Sequence, residues 1–236
     1  MKTKCLPQEI LKLIACIAMF IDHFGDAIVP NLHVPYLDEL YYTCRIIGRI
    51  AFPIYGFLLV QGMTHTRNPY QYILRLGMGI PLAELPFDYL FEGNFTWECQ
   101  NVMVTLTLGA VMLLCMQKTE EKWRKALMVI PFAVFADLCK CDYGGWGIGI
   151  IAVFAFLDQL SLQTIGMLLI NWTMNSAVAP VFGMRIPGQL FAVLAMIPIA
   201  GYSGIKLTRS KAVQWGFYLF YPMHMLVLWV ILELIG

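Results

Sequence analysis

Nine apolar stretches follow one another along this chain with only short polar breaks between them. They lie at roughly 10–29, 43–64, 70–91, 99–116, 124–140, 146–161, 163–182, 188–205 and 213–235. A run of about 20 mostly apolar residues is what a bilayer crossing requires. Hydrocarbon offers no partner to backbone N–H and C=O groups, so runs of this kind must close their hydrogen bonds internally, as helices. The expectation is an all-α fold, a polytopic transmembrane helix bundle of about nine spans. No linker or low-complexity segment divides it, so residues 1–236 read as one domain. Charged residues make up 13% of the chain, about half the ~25% of a soluble domain. Net charge is +1 and no basic stripe is present, which excludes nucleic acid as a partner.

Lys2 and Lys4 precede the first run, as in a signal peptide. That run is longer than a signal core and no small-residue cleavage site follows it, so it reads as a retained span. The seven cysteines are scattered without a Cys-x-x-Cys pair, and no metal site is expected. They read as small packing residues. Cys99 could bridge Cys139 or Cys141 if their side of the membrane is oxidising.

Loop charge orients the bundle. Lys2, Lys4 and Lys12 flank the first span; Arg67 and Arg75 the break after the second; Lys118, Lys122, Arg124 and Lys125 the fourth; Lys206, Arg209 and Lys211 the eighth. With nine spans these share one side, which places the N-terminus in the cytoplasm. Asp26, Asp38, Glu39, Glu92, Glu98 and Asp142 fall in the opposite breaks, where only Lys140 and Arg185 disturb the pattern.

Against this background Asp22-His23 stands out, because ionisable residues inside spans are costly and mark function. His23 lies roughly 20 Å from the cytoplasmic end of its span, and His224 roughly 17 Å from the same end of the last span. The two histidines therefore share a level, and the two ends of the chain are expected to meet in one polar pocket. Arg45 and Arg49 occupy one face of the second span, as do Glu84 and Asp88 on the third. Arg49 and Asn101 enter from the outer side to nearly the same depth. Asp22 points some 100° away from His23 around the helix, so it is expected to pair with Arg45 or Arg49 and not to orient the imidazole. A histidine can take a proton from an amine or hydroxyl nucleophile, and arginine can hold a phosphate, carboxylate or oxyanion. A basic cytoplasmic mouth attracts an anionic donor such as coenzyme A. This chemistry suits acyl transfer; a proton-coupled transporter would use the same His/Asp/Arg cluster as a relay.

The charged motifs also resemble a known family. Ile21-Asp22-His23-Phe24-Gly25 and Arg45-Ile46-Ile47-Gly48-Arg49-Ile50-Ala51-Phe52-Pro53-Ile54-Tyr55 are similar to TraX family motifs. So are Leu85-Pro86-Phe87-Asp88, Asn101-Val102-Met103, Asp142-Tyr143-Gly144-Gly145-Trp146-Gly147 and Phe220-Tyr221-Pro222-Met223-His224. The resemblance covers nearly the whole chain. It implies a multi-pass acyltransferase of the cell membrane, akin to an enzyme that N-acetylates the amino terminus of conjugative pilin, within a wider superfamily of transmembrane acyltransferases that draw on cytoplasmic acetyl-CoA. Carried over, His23 is the expected general base, with Arg49, Asn101 and His224 as further catalytic candidates. Arg45, Arg67, Arg75 and Lys206 are candidates for holding acetyl-CoA. The implied partners are acetyl-CoA, an amine or hydroxyl acceptor (a pilin or peptide N-terminus, a glycan or a small molecule), the lipid bilayer and a second copy of the chain.

Overall fold

A computed structural model describes residues 5–174, 178–181, 184–208 and 210–235. The first half comprises α1 (Gln8–Ala27), α2 (Leu37–Gly48), α3 (Ala51–His65), α4 (Pro69–Phe91) and α5 (Val102–Met116). The second comprises α6 (Lys122–Leu138), α7 (Gly144–Phe156), α8 (Leu160–Thr173), strands β1 (Val178–Val181) and β2 (Met184–Pro187), a 3₁₀ stretch (Gly188–Ala195), α9 (Met196–Ala200) and α10 (Lys211–Ile235).

Local chemistry explains several of these boundaries. Asn68 caps α4 by accepting the Gln71 N–H at 3.0 Å, with Pro69 at the first helical position, where a missing N–H costs nothing. Asn101 caps α5 by accepting the Met103 N–H at 3.0 Å. α7 is apolar all round and sits centrally: Ile148, Ile150 and Ile151 are at most 1% exposed, as expected of a helix enclosed by others.

Three expected spans come out differently. The run 43–64 divides at Arg49 and Ile50 into α2 and α3. Pro53 is the third residue of α3, so its absent N–H falls in the first turn, where no intrahelical acceptor is needed. The run 163–182 is helical only to Thr173; its last residues form β1, paired antiparallel with β2 (Val178 opposite Pro187, Val181 opposite Met184). Pro180 cannot continue a helix, and its β-branched neighbours favour strand. The run 188–205 is a 3₁₀ stretch followed by the short α9.

Among the described residues, three segments are long and apolar enough to cross a bilayer: Gln8–Asn31, Leu37–His65 and Lys211–Ile235. Val102–Met116, Gly144–Phe156 and Gly188–Ala200 are shorter apolar helices. Large apolar side chains lie exposed along many helices, among them Ile17, Leu74, Leu127, Leu169, Trp172 and Val227. An apolar exterior of this extent belongs against lipid, and the chain is a membrane protein.

The two ends of the bundle differ in charge. At one, Leu6 bridges to Tyr202 and Gln117 donates to the Met63 carbonyl at 3.2 Å; Lys12, Arg67, Lys118 and Lys206 gather there. At the other, Gln100 bridges to Cys141, and Asp26, Glu92, Glu98 and Asp142 collect.

Candidate functional site

α1 and α2 carry an interlocked set of charges at matching helical spacing. Asp22 and Asp26 are four apart, as are Arg45 and Arg49, so each pair shares a face. Arg45 Nη1 lies 3.1 Å from both the Asp22 and Asp26 carboxylates, and Arg49 Nη2 lies 3.4 Å from Asp22. Arg49 also donates to Gln189 Oε1 at 3.1 Å, and Gln189 in turn donates to Asn171. The helices approach this closely because of two glycines. A Cβ on Gly48 would fall on the Asp22 carboxylate, and one on Gly25 would fall on Cys44. Small residues at crossings are how membrane helices come into contact.

Beside this ladder the two ends of the chain meet. His23 Nδ1 and His224 Nε2 are 2.8 Å apart, with the rings stacked at 4.9 Å between centroids. The tautomers follow from what surrounds them. His224 Nδ1 sits 2.9 Å from the Phe220 carbonyl, which can only accept, so that nitrogen carries its proton. With both rings neutral, His224 Nε2 then accepts from His23 Nδ1–H. This leaves His23 Nε2 with a free lone pair, the atom a general base needs. Phe220 stacks on His224 at 4.8 Å, and Phe91 meets His23 edge-on at 5.3 Å, which fixes both rings.

Two cavities approach this centre from opposite ends. One, of about 100 Å³, is a mainly apolar slot running from Gln8, Lys12 and Tyr72 inward to Met19, Tyr55 and Tyr221. The other, of about 260 Å³, is a polar vestibule lined by Asp22, His23, Arg45, Arg49, Glu92 and Asp142, among others. Met19, Tyr55 and Val102 line both and form the septum between them. Tyr55 is held there by a 3.1 Å contact between its hydroxyl and Cys16 Sγ. In the link between α6 and α7, burial pushes the Asp142 carboxyl up to about 6, against the opposing pull of Arg49.

The remaining expected site residues fall into two groups. Asn101 is fully buried and structural in its contacts: its amide donates to Glu84 and to the Ile80 carbonyl, while its oxygen caps α5. The basic candidates lie at the slot end. Arg75 sits over the Tyr72 ring at 5.7 Å, while Arg67 and Lys206 are exposed. Arg209 lies outside the described residues. All seven cysteines are free thiols, so Cys99 bridges neither Cys139 nor Cys141.

Sequence reasoning left Tyr55, Tyr221 and Gln189 without roles. The first two stand inside the motifs quoted above, but an aromatic residue in an apolar run carries no signal separating a cavity wall from packing. Gln189, a buried amide in the run 188–205, was visible as a polar residue among apolar ones.

Comparison with known proteins gives the family. The family described as TraX protein matches residues 7–232. The chain is 28% identical over 235 residues to the probable fimbrial assembly protein FimC, serogroup H1, of Dichelobacter nodosus, covering 92% of each. It is 25% identical over 230 residues to Protein TraX of Escherichia coli strain K12, covering 95% of this chain and 86% of that protein. No solved structure matches. With the family matched across nearly its whole length, this chain belongs to the TraX family.

Proposed function

We propose that this protein is a multi-pass acyltransferase of the cytoplasmic membrane, within the transmembrane acyltransferase superfamily, that moves an acetyl group from cytoplasmic acetyl-CoA to an amine or hydroxyl acceptor. The observation that carries this reading is the pair of cavities meeting at one septum below His23, one apolar and narrow with a basic rim, the other polar. A two-substrate transfer across a membrane needs such an arrangement: separate entries and one shared point where the reacting atoms meet.

The donor's phosphates bind at the basic end, where Lys12, Arg75, Lys206 and Arg67 supply charge. Its flexible arm fills the slot. Lys12 and His23 are eleven residues apart on α1, or about 17 Å along the helix, a span that an extended pantetheine arm covers. The acceptor enters the vestibule, whose carboxylates favour an amine. His23 Nε2 takes the nucleophile's proton as nitrogen or oxygen attacks the thioester carbonyl. The C–S bond then breaks, and the same proton passes to the departing coenzyme A sulfur. His224, held by the Phe220 carbonyl, keeps His23 in the required tautomer. The Asp22/Asp26 and Arg45/Arg49 ladder fixes α1 against α2, so that His23 faces the vestibule wall. An amine acceptor is what the resemblance to a pilin N-acetylating enzyme implies.

Two cavities in series would also suit a proton-coupled transporter, and sidedness separates the readings. Protein in proteoliposomes is given acetyl-labelled acetyl-CoA on the basic side and a peptide with a free N-terminus on the other. Acyl transfer yields acetylated peptide and free CoA. Transmembrane movement of solute with no acetylated product would instead establish the transporter.

A further inference from the structure

Acyl transfer needs a donor for the oxyanion that forms when the thioester carbonyl is attacked, and the catalytic candidates Arg49 and Asn101 are engaged elsewhere. Asn101 directs its amide protons at Glu84 and the Ile80 carbonyl. Arg49 directs its protons at the Arg45 carbonyl, Gln189 and Asp22. Tyr221 is different. Its side chain is buried, with 5% exposure, yet its hydroxyl proton has no acceptor; the Val102 N–H approaches the oxygen and can only donate to it. Buried polar groups are almost always satisfied, and one that is not calls for an explanation. This hydroxyl belongs to a residue lining the donor slot. Its ring centroid lies 6.4 Å from that of His23 and 5.7 Å from that of His224. Tyr221 and His224 are three apart on α10 and share a face, so the helix that orients the base also presents the phenol. Beside the hydroxyl stands Val102, the first residue of α5. Its N–H, in the first turn, has no intrahelical acceptor and lies at the positive end of the helix dipole.

We infer that Tyr221 is a further catalytic residue, whose hydroxyl donates to the thioester oxygen as it becomes an oxyanion, with the adjacent N-terminus of α5 adding positive potential. This rests on the acyltransferase reading above. In the step itself, the acceptor nitrogen or oxygen bonds to the carbonyl carbon and its proton goes to His23 Nε2. The C=O electron pair moves onto oxygen, where the Tyr221 O–H meets it. The pair then returns as the C–S bond breaks, and His23 gives its proton to the coenzyme A sulfur. Tyr221 keeps its own proton throughout. Its O–H is left to meet an acceptor that arrives with the donor.

Tyr221→Phe tests this, because it removes the one oxygen that the step uses and keeps the ring. The expected result is a fall in kcat for acetyl transfer of about 10²–10³, the usual loss for one oxyanion donor. KM for acetyl-CoA should stay within about twofold and the thermal midpoint should be unchanged or higher, since an unsatisfied buried group is removed. Wild-type transfer together with undiminished kcat in the variant overturns this inference alone. A fall in kcat matched by a fall in thermal midpoint assigns Tyr221 a structural role and also overturns it. Absence of transfer by the wild-type protein removes the acyltransferase reading, and this inference with it.

Discussion

Replacing His224 by phenylalanine isolates one atom of the proposed centre. The new ring can keep the stack on Phe220 and His23, now at 4.8 and 4.9 Å between centroids. What disappears is Nε2, the acceptor 2.8 Å from His23 Nδ1. His23 then has a buried N–H with no partner, a state that costs about 1–3 kcal/mol. The ring relieves this by shifting its proton to Nε2 or by turning over, and either change removes the lone pair from the reacting position. At about 1.4 kcal/mol per tenfold in rate, kcat should fall by roughly 10–100-fold, a range also seen when the outer partner of a ligating histidine is removed. Acetyl-CoA binding should be unaffected, since His224 lines neither the slot nor the vestibule. The assay is release of free CoA thiol in the presence of an amine peptide, for wild type, His224→Phe, His23→Ala and the double variant. Because the two histidines act as a unit, the double variant should be no slower than His23→Ala. A kcat for His224→Phe within about twofold of wild type would refute the tautomer argument. A double variant slowed by the product of the two single effects would refute it as well.

Gly48→Ala places a methyl group on the Asp22 carboxylate, which parts α1 from α2 and strains both arginine pairs. Loosening these partly buried, charge-assisted contacts costs about 1.5–3 kcal/mol, so at about 2–4 °C per kcal/mol a drop of roughly 3–12 °C in thermal midpoint in detergent is expected. An unchanged midpoint would show that the helices can separate freely. Asn101→Ala should cost more than the ~1 kcal/mol of a lost helix cap, because it also strips Glu84 of its donor. Adding Glu84→Gln should restore part of the loss, and no restoration would rule out the Glu84 contribution. Asp142 is raised to about 6 in the folded protein from an ordinary 3.8. Its contribution to stability is therefore fully present below about pH 4 and is lost as pH rises through 6. The thermal midpoint of wild type should rise from pH 7 to pH 5 more than that of Asp142→Asn, and equal rises would contradict the assignment.

The membrane character of the chain was legible because bilayer thickness sets the length of an apolar run, whatever the fold. Runs 10–29, 70–91 and 213–235 correspond closely to α1, α4 and α10. The hairpin after α8 was not legible, since hydropathy alone does not separate a short apolar strand from a helix; Pro180 and its β-branched neighbours held the missing information. The meeting of His23 with His224 could be approached from depth along two spans that start on the same side. The pairing of Asp22 with the arginines could be read from the direction of its side chain. Hydrogen-bond direction could not. Only the Phe220 carbonyl shows which nitrogen of each ring carries a proton. Asn101 looked like a polar group aimed into the bundle, but an asparagine immediately before an apolar run is also a helix-start signal, and that is how it is used. The septum of Met19, Tyr55 and Val102 joins three different helices, a packing fact without a local sequence signature.

The central claim is that His23 performs chemistry on an acyl donor bound below it. Calorimetry of acetyl-CoA binding to the detergent-purified protein, coupled to detection of released CoA thiol with an amine peptide present, tests it most directly in wild type and His23→Ala. The expected result is saturable binding of similar affinity in both, with CoA released only by wild type. Contradiction would come from a well-folded wild-type protein that binds no acetyl-CoA, or from a His23→Ala variant that releases CoA at the wild-type rate.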